Sequence, residues 1–154
     1  MKKIIFSICV LLVFNISAQK QVSAQYDHIG HFYYGIAIVE LNGKKGAIDS
    51  TGKELIKPEW DNLTGFGKDG IGFARKNGKV GLIKTDGTIL LEPKYERISG
   101  FHNGRAIISQ GALKGVIDFS GKIIIEPKYE HLKFEESGLV RASQGGKEVL
   151  LKVD

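Results

Sequence analysis

The chain has 154 residues, a formal net charge of +5, 42% hydrophobic residues, 20 glycines and one cysteine. That length suits one domain with a real core, and so mild a positive balance excludes an electrostatic nucleic-acid binder. A lone cysteine excludes a disulfide scaffold.

Met1-Lys2-Lys3 is a short basic stretch, Ile4 to Phe14 is almost wholly apolar, and small residues follow at Ser17 and Ala18. The apolar run is too short to span a bilayer comfortably, so residues 1–18 read as a secretory signal peptide. Cleavage after Ala18 is preferred, and Ala24 is the second point that fits the small-residue rule. The mature protein is then expected in the periplasm, at the cell surface or in the medium, with no membrane insertion. Cys9 lies inside the apolar run, which is the wrong place for a lipidated cysteine. Without cysteine the mature chain must be held by burial and backbone pairing.

Residues 19–34 read as a partial repeat, because "VSAQYDHI" (Val22 to Ile29) lines up with "IEPKYEHL" (Ile125 to Leu132). "GIAIVEL" (Gly35 to Leu41) then alternates and is rich in β-branched residues, and Asn42-Gly43 supplies the positive-φ pair of a tight hairpin. "KKGAID" (Lys44 to Asp49) is the return strand, and Ser50 to Gly52 makes the next turn. "KELIK" (Lys53 to Lys57) is a third strand, which Pro58 is expected to end because it cannot donate to a ladder. The second unit repeats this with Asn77-Gly78 and Asp86-Gly87; in the third, "QGALKG" (Gln110 to Gly115) is read as a looser first turn.

Pro58, Pro93 and Pro127 are 35 and 34 residues apart, and Trp60, Tyr95 and Tyr129 keep the same spacing. So do Gly46, Gly81 and Gly115, and again Gly52, Gly87 and Gly121. Several columns at one period define a tandem array, divided here as 35–69, 70–103, 104–137 and a half unit 138–154. No mature segment holds a helical apolar period over three turns. The fold class is therefore all-β: three-stranded β-meander repeats of 34–35 residues in an open twisted array, with a small closed propeller-like ring as the alternative. A single hairpin is marginal in water, so the phrase "LLEPKYE" (Leu90 to Glu96) and its copies are read as joints between neighbouring units.

These residues resemble the WG-repeat family, a bacterial tandem β-repeat. The resemblance rests on "GIAIVELNGKKGAIDSTGKELIKPEWDNL" (Gly35 to Leu63), "GIGFARKNGKVGLIKTDGTILLEPKYERI" (Gly70 to Ile98) and "GRAIISQGALKGVIDFSGKIIIEPKYEHL" (Gly104 to Leu132). "GLVRASQGGKEVLLKVD" (Gly138 to Asp154) looks like the first half of another copy. The tryptophan that names the repeat is missing throughout. Lys45, Val80, Lys114 and Glu148 hold its places, and Val149 replaces the glycine in the last copy. The resemblance implies a tandem β architecture, no known chemistry and no catalytic residue.

Chemical motifs are few. "GFGKDG" (Gly65 to Gly70) has dinucleotide-loop spacing but lacks the strand-to-helix setting, so a loop between β units is expected. Asp49 and Asp118 are read as turn aspartates that bond the local backbone. Glu92 and Glu126, ahead of the prolines, are read as solvated strand ends. His28, His31, His102 and His131 have no ligand spacing within one element, so neither a metal nor a cofactor is expected. The aromatics are the best handle. Trp60, Tyr95 and Tyr129, with Tyr26, form one periodic column, whose first reading is packing between units. Its functional reading is a ladder of faces for a protein or a cell-surface glycan, extended by the off-column Tyr33 and Tyr34. Tyr33, Tyr34, Trp60, Tyr95 and Tyr129 are thus the candidate binding surface of an exported, non-enzymatic protein. The rival readings are a hydrolase with an unrecognised polar set and a structural subunit of an envelope complex.

Overall fold

The computed structural model describes residues 25–153. The signal-peptide reading and both cleavage points lie outside the described residues. Every described element is a strand or a short connection, in four antiparallel sheets laid out in chain order. The first sheet holds β1 (His28–Ile29), β2 (Ile36–Leu41), β3 (Lys44–Asp49) and β4 (Glu54–Trp60). The second holds β5 (Asn62–Leu63), β6 (Ile71–Lys76), β7 (Lys79–Lys84) and β8 (Ile89–Tyr95). The third holds β9 (Arg97–Ile98), β10 (Arg105–Gln110), β11 (Leu113–Asp118) and β12 (Ile123–Tyr129). The last holds β13 (His131–Phe134), β14 (Val140–Gln144) and β15 (Lys147–Leu151). Among the described residues β1 pairs only with β2, and β15 only with β14, so the end strands do not meet. The array is open, and the ring alternative is not what the chain adopts.

Each full sheet has four strands, one more than the expected meander. The extra strand comes from the tail of the phrase that follows the proline. Asp61 alone separates β4 from β5, Glu96 alone separates β8 from β9, and Glu130 alone separates β12 from β13. The chain thus leaves the edge of one sheet and, one residue later, starts the next. Sheets accordingly begin at these short strands, ahead of the unit starts at 35, 70 and 104.

The proline does not end the third strand, contrary to the sequence reading. β4 runs through Pro58, β8 through Pro93 and β12 through Pro127. Ala47 pairs with Ile56 and Lys45 with Trp60, so the residues around Pro58 bulge opposite the single Gly46. A bulge takes the proline out of the ladder, and its missing N–H then costs no pairing. The same register shift recurs opposite Gly81 and Gly115.

The first turn of the third unit is also tight. Gln110 pairs with Leu113 across Gly111-Ala112, a two-residue loop like Asn42-Gly43 and Asn77-Gly78. Asn42 and Asn77 have φ of 52° and 53°, followed by glycines at 73° and 76°, the type I′ pattern. Gly111 has φ 59° and Ala112 is not in the left-handed region, which matches the type II′ pattern. A glycine one place earlier does the same job through the other hairpin-favouring turn, and the reading of a loosened turn missed this.

The core lies between sheets. Along β2, Ile36 and Ile38 pack toward the second sheet, while Ala37 and Val39 join Ile48, Tyr26 and Ile29 on the other face. Ala47, Ile56 and Trp60 of the first sheet meet Leu63, Phe66, Ala74 and Ile83 of the second. Leu82, Leu91 and Tyr95 meet Ala106, Ile108 and Ile117 of the third, and Val116 and Tyr129 meet Leu132, Val140 and Ala142 of the last. Inner sheets bury both faces, so their central strands are apolar at successive positions, as at Val80 to Ile83.

Candidate binding surfaces

The aromatic column belongs to these inter-sheet cores. Trp60 is 4% exposed, Tyr95 1% and Tyr129 9%, so their rings are packed rather than offered to a ligand. What solvent sees beside them is a lysine: Lys76 Nζ lies 5.3 Å from the Trp60 ring centre, Lys94 5.2 Å from Tyr95 and Lys128 5.4 Å from Tyr129. Of the five candidate surface aromatics the structure leaves Tyr33 and Tyr34 in solvent, at 65% and 72%.

Those two stand with half-exposed Phe32 on the connection from β1 to β2. Tyr33 and Ile36 exchange backbone hydrogen bonds of 2.9 and 3.0 Å, closing a tight turn whose tip is Tyr34-Gly35. Tyr34 has φ 49°, and Gly35 follows at 78°. The third unit makes the same turn with Asn103 at 46° and Gly104 at 80°. Asparagine is at ease in that region, whereas a bulky aromatic there is an outlier. The equivalent Phe66 is buried against Gly72, and Phe101 stacks on Phe119 at 4.4 Å. Phe32, Phe66 and Phe101 recur at the repeat spacing, and Phe32 is the copy that stands exposed.

The turn carboxylates are occupied by structural work. Asp49 Oδ1 accepts from Thr51 N (2.8 Å), Thr51 Oγ1 (2.6 Å) and Lys53 N (3.0 Å). Asp118 repeats this with Ser120 and Lys122, so the turn reading of both aspartates holds. In the second unit Lys84 takes that place, and Asp86 accepts from Thr88 N instead. The hydrogen bond from Thr51 holds the Asp49 carboxyl below its ordinary range. At Asp118 burial pushes upward, but the bonds from Ser120 and Lys122 outweigh it and the net shift is down.

A second set of carboxylates was missed in the sequence. Asp27 accepts from Asn42 N at 2.6 Å, Asp61 from Asn77 N at 2.7 Å, Glu96 from Gly111 N at 3.1 Å and Glu130 from Gly145 N at 3.2 Å. Asp61 also takes Lys44 Nζ, and Glu96 takes Lys79 Nζ. The single residue between two sheets thus fastens the next hairpin tip and, at these two, reaches back to the previous one. Its signal was the acidic residue one place after the aromatic, in every copy. The lysine bond at Asp61 and at Glu96 lowers each carboxyl from its ordinary value.

Groups with lowered pKa contribute stability that is present above the unfolded carboxylate range and lost as pH falls through the folded values. Asp49, Asp61, Asp86, Glu96, Asp118 and Glu135 all shift in that direction from ordinary values of 3.8 and 4.5. The thermal midpoint, followed by circular dichroism, is expected to be flat near neutrality and to fall below about pH 4. Asp61→Asn should shrink that fall, and an unchanged acid limb would refute the latch.

The remaining motifs resolve simply. "GFGKDG" lies on the connection from β5 to β6, and no helix follows it. His28, His31, His102 and His131 are exposed, and among the described residues no three His, Cys, Asp or Glu gather at a metal-sized site. His102 stacks on Phe134 at 5.9 Å.

The geometry defines a tandem β-repeat protein whose sheets are tied by buried aromatics and acidic latches. The family model described as WG containing repeat matches residues 22–44, 46–79, 81–113 and 115–147, and the chain belongs to that family. No curated protein matches the sequence. Among solved structures the chain is similar to one titled "Kluyveromyces lactis Hsv2 complete loop 6CD", at 13% identity and a TM-score of 0.40. That alignment covers 78% of this chain and 47% of the other, so the chain spans about half the length of that structure.

Proposed function

We propose that the protein is an exported, non-enzymatic binding module of the WG-repeat class that contacts a protein or a cell-surface glycan. The observation that carries this is the aromatic corner Phe32-Tyr33-Tyr34. Holding a tyrosine in the left-handed region costs on the order of 1–3 kcal/mol, and an exposed ring returns no packing for it. Asparagine fills the matching place in the third unit, so the turn itself does not require the ring. Adjacent rigid aromatics at low rotamer cost are the side chains that dominate protein contacts and stack on sugars. The engagement of Asp49, Asp61, Glu96 and Asp118 in turns and latches supports the non-enzymatic reading.

The test uses protein recovered from outside the cytoplasm, whose N-terminus should be Gln19 or, failing that, Gln25. Cell-envelope fractions should retain it, and Tyr33→Ala/Tyr34→Ala should weaken retention by roughly tenfold or more. Full retention by the double variant would remove the corner as the contact. Protein found with Met1 in the cytoplasm would remove the exported setting.

A further inference from the structure

One row of side chains crosses each of the first three sheets just before the column glycine, and residues paired across strands project from the same face. In the first sheet the row is His28, Glu40, Lys45 and Trp60. In the second it is Asn62, Arg75, Val80 and Tyr95. In the third it is Arg97, Ser109, Lys114 and Tyr129. The first row neutralises itself, with Lys45 Nζ 3.1 Å from Glu40 Oε2. The second row inverts that pair: Arg75 stands in the place of Glu40, and apolar Val80 in the place of Lys45. The third row puts two cations on either side of a serine.

Among the described residues Arg75, Arg97 and Lys114 take part in no ion pair. The Arg75 guanidinium donates to the Gly78 carbonyl at 2.8 Å and keeps its remaining donors. Between the second and third sheets lies a groove of about 310 Å³ lined by Asn62, Thr64, Phe73, Arg75 and Val80 of the one and Arg97 and Ile98 of the other. Its rim carries two cations and no carboxylate. Phe73, Val80 and Ile98 form its floor, Val80 only 6% exposed and the other two partly buried, and it borders the column in which the neighbouring units carry the longer Lys45 and Lys114. A short valine at this position leaves room that a long side chain would occupy.

We propose that this groove binds an acidic segment of a polypeptide partner, with a carboxylate between Arg75 and Arg97 and a neighbouring aliphatic side chain over Phe73, Val80 and Ile98. Guanidinium groups match carboxylates in shape and charge. Arginines at a solvated rim are screened, however, so a bare anion gains little from them. Burial of apolar surface on the floor must supply the rest, and that demands a ligand with both a carboxylate and an aliphatic side chain. Peptides alternating acidic and aliphatic residues have both, whereas a uronate polymer or inorganic phosphate has only the charge. This site uses residues separate from the Phe32–Tyr34 corner.

The experiment is fluorescence anisotropy at low ionic strength with a fluorescein-labelled peptide of alternating glutamate and valine. The wild type should bind it, and a glutamine-for-glutamate peptide should not bind. R75E/V80K writes the first row's own ion pair into the second and should weaken binding by about tenfold or more. Arg97→Gln, at an exposed position that leaves the fold alone, should weaken it severalfold, and Tyr33→Ala/Tyr34→Ala should leave it unchanged. Undiminished binding by R75E/V80K and Arg97→Gln would overturn the site. So would failure of the wild type to bind, or loss of binding in the tyrosine variant. Displacement of the peptide by inorganic phosphate or polygalacturonate at equal charge concentration would overturn the polypeptide assignment.

Discussion

Truncating Tyr95 to alanine is expected to destabilise the protein by about 3–5 kcal/mol. Tyr95 is the largest of the fully buried side chains, and it sits where the second sheet passes to the third. Its ring packs with Leu82 and Leu91 on its own sheet and with Ala106, Ile108 and Ile117 on the next. Removing it loses the transfer free energy of the ring and leaves a cavity that two β-sheets, each fixed by its own ladder, close only in part. His102→Ala is the companion measurement. That side chain is exposed, so the change should stay within about 0.5 kcal/mol. Urea unfolding should show a much lower midpoint for the first variant and an unshifted one for the second. Equal, small shifts would mean that the aromatic column is not what holds neighbouring sheets together.

The sequence showed the repeat because its signals are local. Asn42-Gly43, Asn77-Gly78 and the turn aspartates Asp49 and Asp118 each act within a few residues of themselves, and each is found doing what its chemistry predicts. Apart from the Gly111-Ala112 turn, where a local signal was misread, the errors involve a partner far along the chain. Pro58 reads as a stop until Gly46 is known to lie beneath it, because only then can the strand bulge and continue. Asp61 has no local reason to be acidic; its partner is the amide of Asn77, 16 residues on. Periodicity also could not say which aromatics face solvent. Trp60, Tyr95 and Tyr129 share a column because all three fill the same seam, and regular spacing is what packing between identical units produces. Tyr33 and Tyr34 have no counterparts in that column, and this lack of period separated them from the core. The groove at Arg75 and Arg97 was invisible in the same way, since its rim comes from two different sheets.

Gly81→Ala should be as damaging for its size as any change in the chain, at about 3 kcal/mol. A Cβ built on Gly81 would lie 2.1 Å from the Leu91 carbonyl oxygen and 2.8 Å from both the Glu92 carbonyl carbon and the Pro93 nitrogen. All three are backbone atoms of the bulge, so no side chain can swing away to make room. Gly46 and Gly115 face the same obstacle, at 2.5 Å from the Ile56 oxygen and 2.3 Å from the Ile125 oxygen. The glycine is therefore imposed by the strand that arches over it, and the arch is imposed by the proline. The fourth copy supplies the control within the same molecule. Val149 occupies the glycine position on β15, no strand is paired on its outer side among the described residues, and the valine is 45% exposed. Val149→Ala should accordingly change stability by no more than about 0.5 kcal/mol, as at an ordinary surface site. Chemical denaturation of the two variants beside the wild type decides the matter. A Gly81→Ala protein as stable as its parent would show that the bulge can lift, and the proline–glycine pairing would then lose its physical basis.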